Sequence, residues 1–314
     1  MLAPKMWKKK VLLAKIETTY GTDAVPTGAA NSILATNVRL SPMEGQDVSR
    51  DLELPYMGAQ GTIPTELHRK LAFNVEATPS GTAGTAPAWG VLMRGCACAE
   101  VIAAGVSVTY NPVTDDHEAV TLYLNIDGTL FKLIGSRGTC TFRLNAQGIV
   151  YLEFEFIGLY SQATETPMVT PDLAAQIAAR PKVASTINTP AFSIGGVDLV
   201  MTTFMLNIGN QVETTFEVGH DAIEITGKSE TIETSVRAVP LTTLDPFALA
   251  DAMTPQEVIL THGTTAGRIL GLNAPGAQFQ RTQSLENAKN ITRWPLRLVP
   301  LPVAGNDQWT MTLT

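Results

Sequence analysis

IVYLEFEFIGLY, residues 149–160, alternates strictly between two kinds of side chain. Leu152, Phe154 and Phe156 fall on one side of an extended chain, Tyr151, Glu153 and Glu155 on the other. A period of two is the period of a strand; a helix would repeat every 3.6 residues. A strand that is apolar on one face and acidic on the other must pack the first against a core. The second faces water, on the outside of the molecule or in a space that several sheets enclose, and the alternation fits both.

The same character extends outward in both directions. EAVTLYLNIDGTLFKLIG, 118–135, holds Asp127-Gly128 between two apolar runs, the dipeptide of a type I′ hairpin turn, in which both central residues take positive φ. Further strands are expected at 34–41, 69–77, 139–145, 191–208, 211–218, 222–239, 257–261, 267–272 and 291–299. Helical periods are few: 87–102, 172–180, and 245–253, where Asp245 is placed to cap and Pro246 opens the first turn.

The two halves of the chain run through one order of elements. LAFNVEATP (71–79) answers IETSVRAVP (232–240), and each leads to a short helix opened by proline. VTLYLNIDGTLFKLIGSRG (120–138) answers VILTHGTTAGRILGLNAPG (258–276), and IVYLEFEFIGLY answers NITRWPLRLVPL (290–301). Pro295 interrupts the last of these, as in an edge or bulged strand. The pattern reads as a tandem duplication. The Thr/Pro/Ala-rich stretch 166–190 connects the halves.

Composition excludes several classes. The chain has 314 residues, 45% hydrophobic, which is enough for a full core. No apolar run reaches the roughly 18–20 residues that cross a bilayer, and the interrupted N-terminal patch does not read as a signal peptide. The net charge of −7 divides unevenly: +3 over residues 1–36, −6 over 37–165, +1 over 166–190 and −5 over 191–314. Two acidic bodies with a basic arm repel nucleic acid rather than bind it. Cys96, Cys98 and Cys140 are odd in number and read as reduced, buried thiols.

No catalytic constellation emerges. Gly227-Lys228-Ser229 ends like a phosphate-binding loop, but Ala222 stands where that loop needs glycine, and no helix follows. His68, His117, His220 and His262 are scattered, Cys96-Ala97-Cys98 has no second cysteine pair, and Asp115-Asp116-His117-Glu118 reads as a solvated loop. Gly135-Ser136-Arg137-Gly138 lacks the spacing of a nucleophile elbow. The reading is of a protein that is not an enzyme and needs no cofactor.

KKKVLLAKIETTYGTDAVPTGAANSILATNVRLSPMEGQDVSRDLELPYMG goes beyond general β character. Over about residues 8–60, above all in LLAKIETTYGTDAVPT and NVRLSPMEGQDVSRD, it resembles the N-terminal region of major tail tube proteins of long, non-contractile-tailed bacteriophages (siphophages) of Gram-negative hosts. That family is similar in fold to the tube-forming haemolysin-coregulated protein of type VI secretion. The resemblance implies a mainly β fold: two tandem antiparallel β-sandwich or half-barrel units, each with a short flanking helix. The expected boundaries are an N-terminal arm over 1–36, a first unit over 37–165, a connector over 166–190 and a second unit over 191–314.

The implied function is structural: stacked rings, trimeric and pseudo-hexameric, forming the tail tube through which DNA reaches the host. A hexamer with the second unit as outer decoration, or a non-polymerising tail-tip or adhesion module, are the alternatives. The implied partners are other copies of the chain, a tape measure protein inside the tube, tail terminator and tail-tip proteins, and phage DNA passing without specific binding. No membrane insertion is implied, and assembly in the bacterial cytoplasm leads to a place in the virion tail. Candidate lumen-lining residues are Glu153, Glu155, Glu213, Glu217, Glu230 and Glu233; candidate inter-ring contacts are Lys5, Lys8, Lys9, Lys10, Asp51, Leu52, Leu54 and Tyr56. The loop 45–66 is too long to be idle in a compact sandwich and is expected to touch a neighbouring subunit or ring.

Overall fold

A computed structural model describes residues 4–314. The first half contains β1 (Lys10–Ile16), β2 (Ser32–Ile33), β3 (Ala35–Ser49), β4 (Thr62–Glu76), α1 (Gly90–Gly95), β5 (Cys98–Ala103), β6 (Ser107–Pro112), β7 (Val120–Ile126), β8 (Thr129–Asn145), β9 (Tyr151–Tyr160) and β10 (Thr164–Glu165). The connector carries α2 (Ala174–Ala179). The second half contains β11 (Ala191–Ile194), β12 (Val197–Asp198), β13 (Met201–Asn207), β14 (Asn210–Glu217), β15 (His220–Lys228), β16 (Thr231–Arg237), α3 (Pro246–Asp251), β17 (Gln256–His262), β18 (Leu270–Phe279), β19 (Glu286–Ala288), β20 (Ile291–Pro300) and β21 (Thr310–Leu313). The protein is mainly β, its strands forming a curled antiparallel half-barrel.

The opening motif does what its period predicts. Leu152, Phe154 and Phe156 are buried, and Phe73 of β4 packs on the two phenylalanines at ring-centroid distances of 5.8 and 6.1 Å. Each such ring removed from water contributes about 1.5–3 kcal/mol. The curl comes from β8, which is 17 residues long and bends at a bulge between Ile134 and Arg137, where Gly135 takes φ 60. Its first portion pairs with β7 and its later portion with β9. The Asp127-Gly128 turn joins β7 to β8 with both residues at positive φ.

Both halves repeat one pairing order. In the first, β3 pairs with β4, β4 with β9 and β9 with β8. In the second, β13 pairs with β16, β16 with β20 and β20 with β18. The two series join where β8 pairs with β13, Phe142 standing opposite Leu206 and Leu144 opposite Phe204. A single cluster of buried apolar residues runs from Leu12 to Leu313, so the halves share one core. A second seam is made by β21, which pairs with β18 of its own half and with β6 of the other.

Four features differ from the sequence reading. Lys10–Ile16, inside the expected arm, is a strand paired with β7: Leu12 and Ala14 enter the main core, and Val11 and Leu13 a small cluster with Tyr123 and Leu130. With apolar residues on both faces, this run lacks the alternation that marks a half-buried strand. The helix expected over 87–102 stops at Gly95, because Ala97 takes φ 55 and turns the chain into β5. The loop 45–66 is shorter than expected, because β3 and β4 keep pairing as far as Ser49 and Thr62. Finally, pairing through β4 and β16 matches Leu152, Phe154 and Phe156 with Trp294, Leu296 and Leu298, one residue beyond the direct alignment of the two sequences. A one-residue slip exchanges the faces of a strand, so the buried set decides the register.

The short helices follow their local signals. Asp245 caps α3, its carboxylate accepting from the Phe247 and Ala248 amides at 3.0 Å each. In the connector, Gln176 of α2 accepts from the Leu34 amide and donates to the Ser32 carbonyl, both at 2.8 Å. One side-chain amide thus satisfies the backbone beside β2 and anchors the connector to the first half.

Candidate functional site

The face of the continuous sheet opposite the core is polar. It carries Arg39, Lys70, Glu76, Arg143, Glu153 and Glu155 from the first half, and Glu233, Arg237, Glu286, Arg293 and Arg297 from the second. Five carboxylates thus face six cations, and opposite charges meet on neighbouring strands. Arg143 Nε lies 3.0 Å from Glu153 Oε1, and Arg297 Nε lies 3.7 Å from Glu233 Oε1. Half-exposed pairs of this kind contribute about 0–1 kcal/mol to stability; their larger effect is to leave the face with little net charge.

The six candidate wall glutamates divide. Glu153, Glu155 and Glu233 share the polar face. Glu213 and Glu217 lie on β14, in the separate two-stranded sheet that it makes with β15. Glu230 is buried, three residues from Glu233 and so on the opposite face, and its Oε1 accepts from Gln308 Nε2 at 3.1 Å. Burial pushes its carboxyl above the usual range.

The candidate contact residues also divide. Lys5 reaches Glu165 at 2.5 Å and Thr129 at 2.6 Å, and Lys9 reaches Asp127 at 3.2 Å, so these two hold the N-terminal segment on the β7–β8 turn of their own chain. The Met6 amide donates to Asp127 at 2.7 Å; that bond, with Lys9, holds the Asp127 carboxyl below its ordinary range, and Lys5 does the same for Glu165. Lys10 lies over the Trp7 ring at 3.5 Å, and Lys8 is exposed. Asp51, Leu52, Leu54 and Tyr56 are exposed in the loop between β3 and β4, tied only locally: Gln60 exchanges two hydrogen bonds with the backbone of Leu52.

The series of strands that carries the polar face ends in an edge on each side. Among the described residues, β3 has β4 as its only strand partner. At the other end β18 pairs with β20 over Ala277–Phe279 and β19 resumes at Glu286, while 280–285 leave the sheet. The Arg297 carbonyl accepts from the Gln280 amide at 2.8 Å, so odd-numbered residues of β20 turn their backbone groups to this side. Pro295 is one of them and has no N–H to offer.

One further assembly of polar groups escaped the sequence reading. The β14–β15 hairpin lies against the first half and is held by buried and part-buried hydrogen bonds. Asn210 donates to the Cys96 and Gly138 carbonyls at 2.7 and 2.9 Å. Lys228 donates to the Ala97 and Val113 carbonyls at 3.0 and 2.5 Å, and burial lowers its pKa. Ile223, fully buried, donates its amide to the Tyr20 hydroxyl at 2.6 Å and accepts from Arg137 on its carbonyl at 2.9 Å. The lysine that mimics a nucleotide-binding loop is thus a structural peg. Its surroundings are assembled from residues more than 100 positions away.

A curled antiparallel half-barrel with one polar face, one shared core and edge strands open to pairing defines a mainly β protein. The sequence profile of the phage tail tube protein family matches residues 7–300, and the chain belongs to that family. No curated protein matches it. Family membership makes the chain a structural component of the virion tail, one that self-assembles into a tube. Among the described residues, no helix is long and apolar enough to cross a membrane.

Proposed function

We propose that the chain is a duplicated tube protein, with domains over 37–165 and 191–314 joined by the connector 166–190, and that three copies close a pseudo-hexameric ring. The observation that carries this reading is the β8–β13 pairing. It joins two series of four strands in one sheet by the step that a neighbouring subunit would make. The open β18–β19 end of one copy then meets the open β3 of the next, and three copies close the wall. A hexamer with the second half outside would need β8 to pair with another copy, yet that edge is occupied within the chain.

The polar face lines the channel. Arg143 and Arg297 pair with glutamates on adjacent strands, and the remaining cations are interspersed with carboxylates, which favours passage of DNA without specific binding. Glu153, Glu155 and Glu233 are the wall residues of the candidate set. Lys8, with Asp51, Leu52, Leu54 and Tyr56 of the exposed loop, makes contacts between stacked rings; Lys5, Lys9 and Lys10 shape the arm that presents them. The tube belongs to a long non-contractile tail assembled in the host cytoplasm. A tape measure protein lies inside it, with tail terminator and tail-tip proteins at its ends.

End-on electron microscopy of the purified protein tests the symmetry. Three-fold rings with six similar inner lobes, stacked into hollow tubes, are expected. Six-fold rings with twelve lobes would move the second half outside, and compact particles that never polymerise would favour a tail-tip or adhesion module. Shortening the loop within 52–61 is expected to leave rings and abolish long tubes.

A further inference from the structure

We infer that the hairpin formed by the ends of β3 and β4, residues 45–66, docks across the ring seam on the second half of the next subunit, against the C-terminal end of its α3 and its β18. The inference rests on the ring reading above and specifies a contact within it.

The warrant is that the chain already makes the corresponding contact once. In each half a hairpin leaves the sheet between the first two strands of the series, β14–β15 between β13 and β16, and 45–66 between β3 and β4. Both leave at a kink with left-handed backbone: Gly209 takes φ 58, and on the other side Gly45 takes φ 156 and Glu66 φ 55. Beyond its kink β14–β15 turns onto the half that lies across the β8–β13 seam. There it covers the end of α1, where Lys228 reaches the Ala97 carbonyl, and the later portion of β8, where Asn210 reaches Gly138.

The receiving surface has a counterpart in the second half. Just after α1, Ala97 takes φ 55; just after α3, Met253 takes φ 52. Gly138 pairs with Phe156 of β9, and Phe279 with the equivalent Leu298 of β20. The first receiving site is covered and buried. At the second, Met253 stands exposed, 67% against 1% for Ala97, beside a Phe279 that is itself buried.

The occupant shows the matching deficit. Val212 of the docked hairpin is half-buried, whereas Val48, its counterpart counted from the kinks, is 51% exposed, and Ile63 opposite it 52%. An exposed apolar hairpin and the exposed Met253 at the equivalent receiving place, one at each side of the seam, complement one another when a second copy is set beside the first. The cross-strand pair Val48–Ile63 then covers Met253, and the loop beyond it remains free to reach the next ring.

Counting from the kinks makes Thr65 the counterpart of Lys228 and Met253 that of Ala97. The test is the double variant Thr65→Cys, Met253→Cys, assembled into tubes and treated with a short bis-maleimide. The three native thiols are fully buried and serve as a silent background, Cys98 having its pKa pushed up to about 12. Denaturing gels are expected to show linked dimers and trimers and nothing larger, with each single variant unlinked. A ladder that continues past the ring number places the contact between rings and overturns the inference. So do normal tubes that give no link.

Ring symmetry is read by microscopy on the same sample. A ladder ending at six in six-fold rings therefore refutes the trimer and keeps the docking, while three-fold rings without links do the reverse. Where the double variant does not assemble, hydrogen exchange on the natural chain replaces it. Assembly is expected to slow exchange at 46–49, 62–65 and 252–254 together, and unchanged exchange at 252–254 overturns the inference.

Discussion

The two hairpins, β14–β15 and 45–66, leave the same place in their halves and meet different fates. The first folds onto a surface that its own chain supplies, buries Ile223, and fastens itself with Asn210 and Lys228. The second extends beyond the sheet with Val48, Ile63, Tyr56 and Met57 exposed. What separates them is the covalent continuity of the chain across one seam and its absence across the other. Sheet pairing shows the same contrast: β13 finds β8 on its outer side, and among the described residues β3 finds no strand there. An edge strand left bare invites association, and the family to which the chain belongs self-assembles into a tube.

The contrast breaks most readily in the core at the seam. Leu206 on β13 and Leu40 on β3 occupy equivalent positions, opposite Ile232 and Leu71. Leu206→Ala is expected to cost the unassembled chain about 2–5 kcal/mol, as buried leucines do. Leu40→Ala, at a half-buried site without a strand beyond it, is expected to cost about 1 kcal/mol. Urea unfolding below the assembly concentration measures both, and equal losses would refute the seam as the source of the difference.

The hairpin pegs give a smaller effect. Lys228→Met strands the part-buried Ala97 and Val113 carbonyls and is expected to cost about 1–2 kcal/mol. Thr65→Val, at the equivalent place in the undocked hairpin, is expected to change stability by no more than about 0.5 kcal/mol before assembly. Calorimetry on the unassembled variants compares them.

The smallest effect concerns the N-terminal segment, which Lys5 and Lys9 pin to the β7–β8 turn. The folded carboxyls of Asp127 and Glu165 titrate below their unfolded values. Their contribution is therefore complete above the ordinary carboxylate range, about pH 4, and is lost as pH falls through the depressed values. Acidification below that range, or Asp127→Asn at neutral pH, is expected to speed tryptic cleavage after Lys5 and Lys9 while leaving the global unfolding midpoint unchanged. A cleavage rate that ignores both treatments would show that the ion pairs do not hold the segment.

Strand content was legible wherever one face is wet. The alternation in 149–160, the Asp127-Gly128 turn and the Asp245 cap each act through neighbours in sequence, and all three stand in the structure as read. Lys10–Ile16 was not legible as a strand, because burial on both faces erases the alternation. The alternating run 98–112 was obscured by the apolar stretch before it, and the single backbone turn at Ala97 decides where helix gives way to strand. Of the candidate wall residues, Glu153, Glu155 and Glu233 lie on one face, as their spacing allows, whereas Glu230 could have been set apart by parity alone.

By itself the sequence determined the mainly β character, the repeated order of elements, and the family, since these depend on local periodicity and on patterns carried along the chain. Only the tertiary structure decided which edges are taken and which are open. Pairing between β8 and β13, the peg of Lys228 and the one-residue register of β20 depend on groups brought together from distant positions. Their energies come from burial and from backbone groups that must be satisfied once water is excluded.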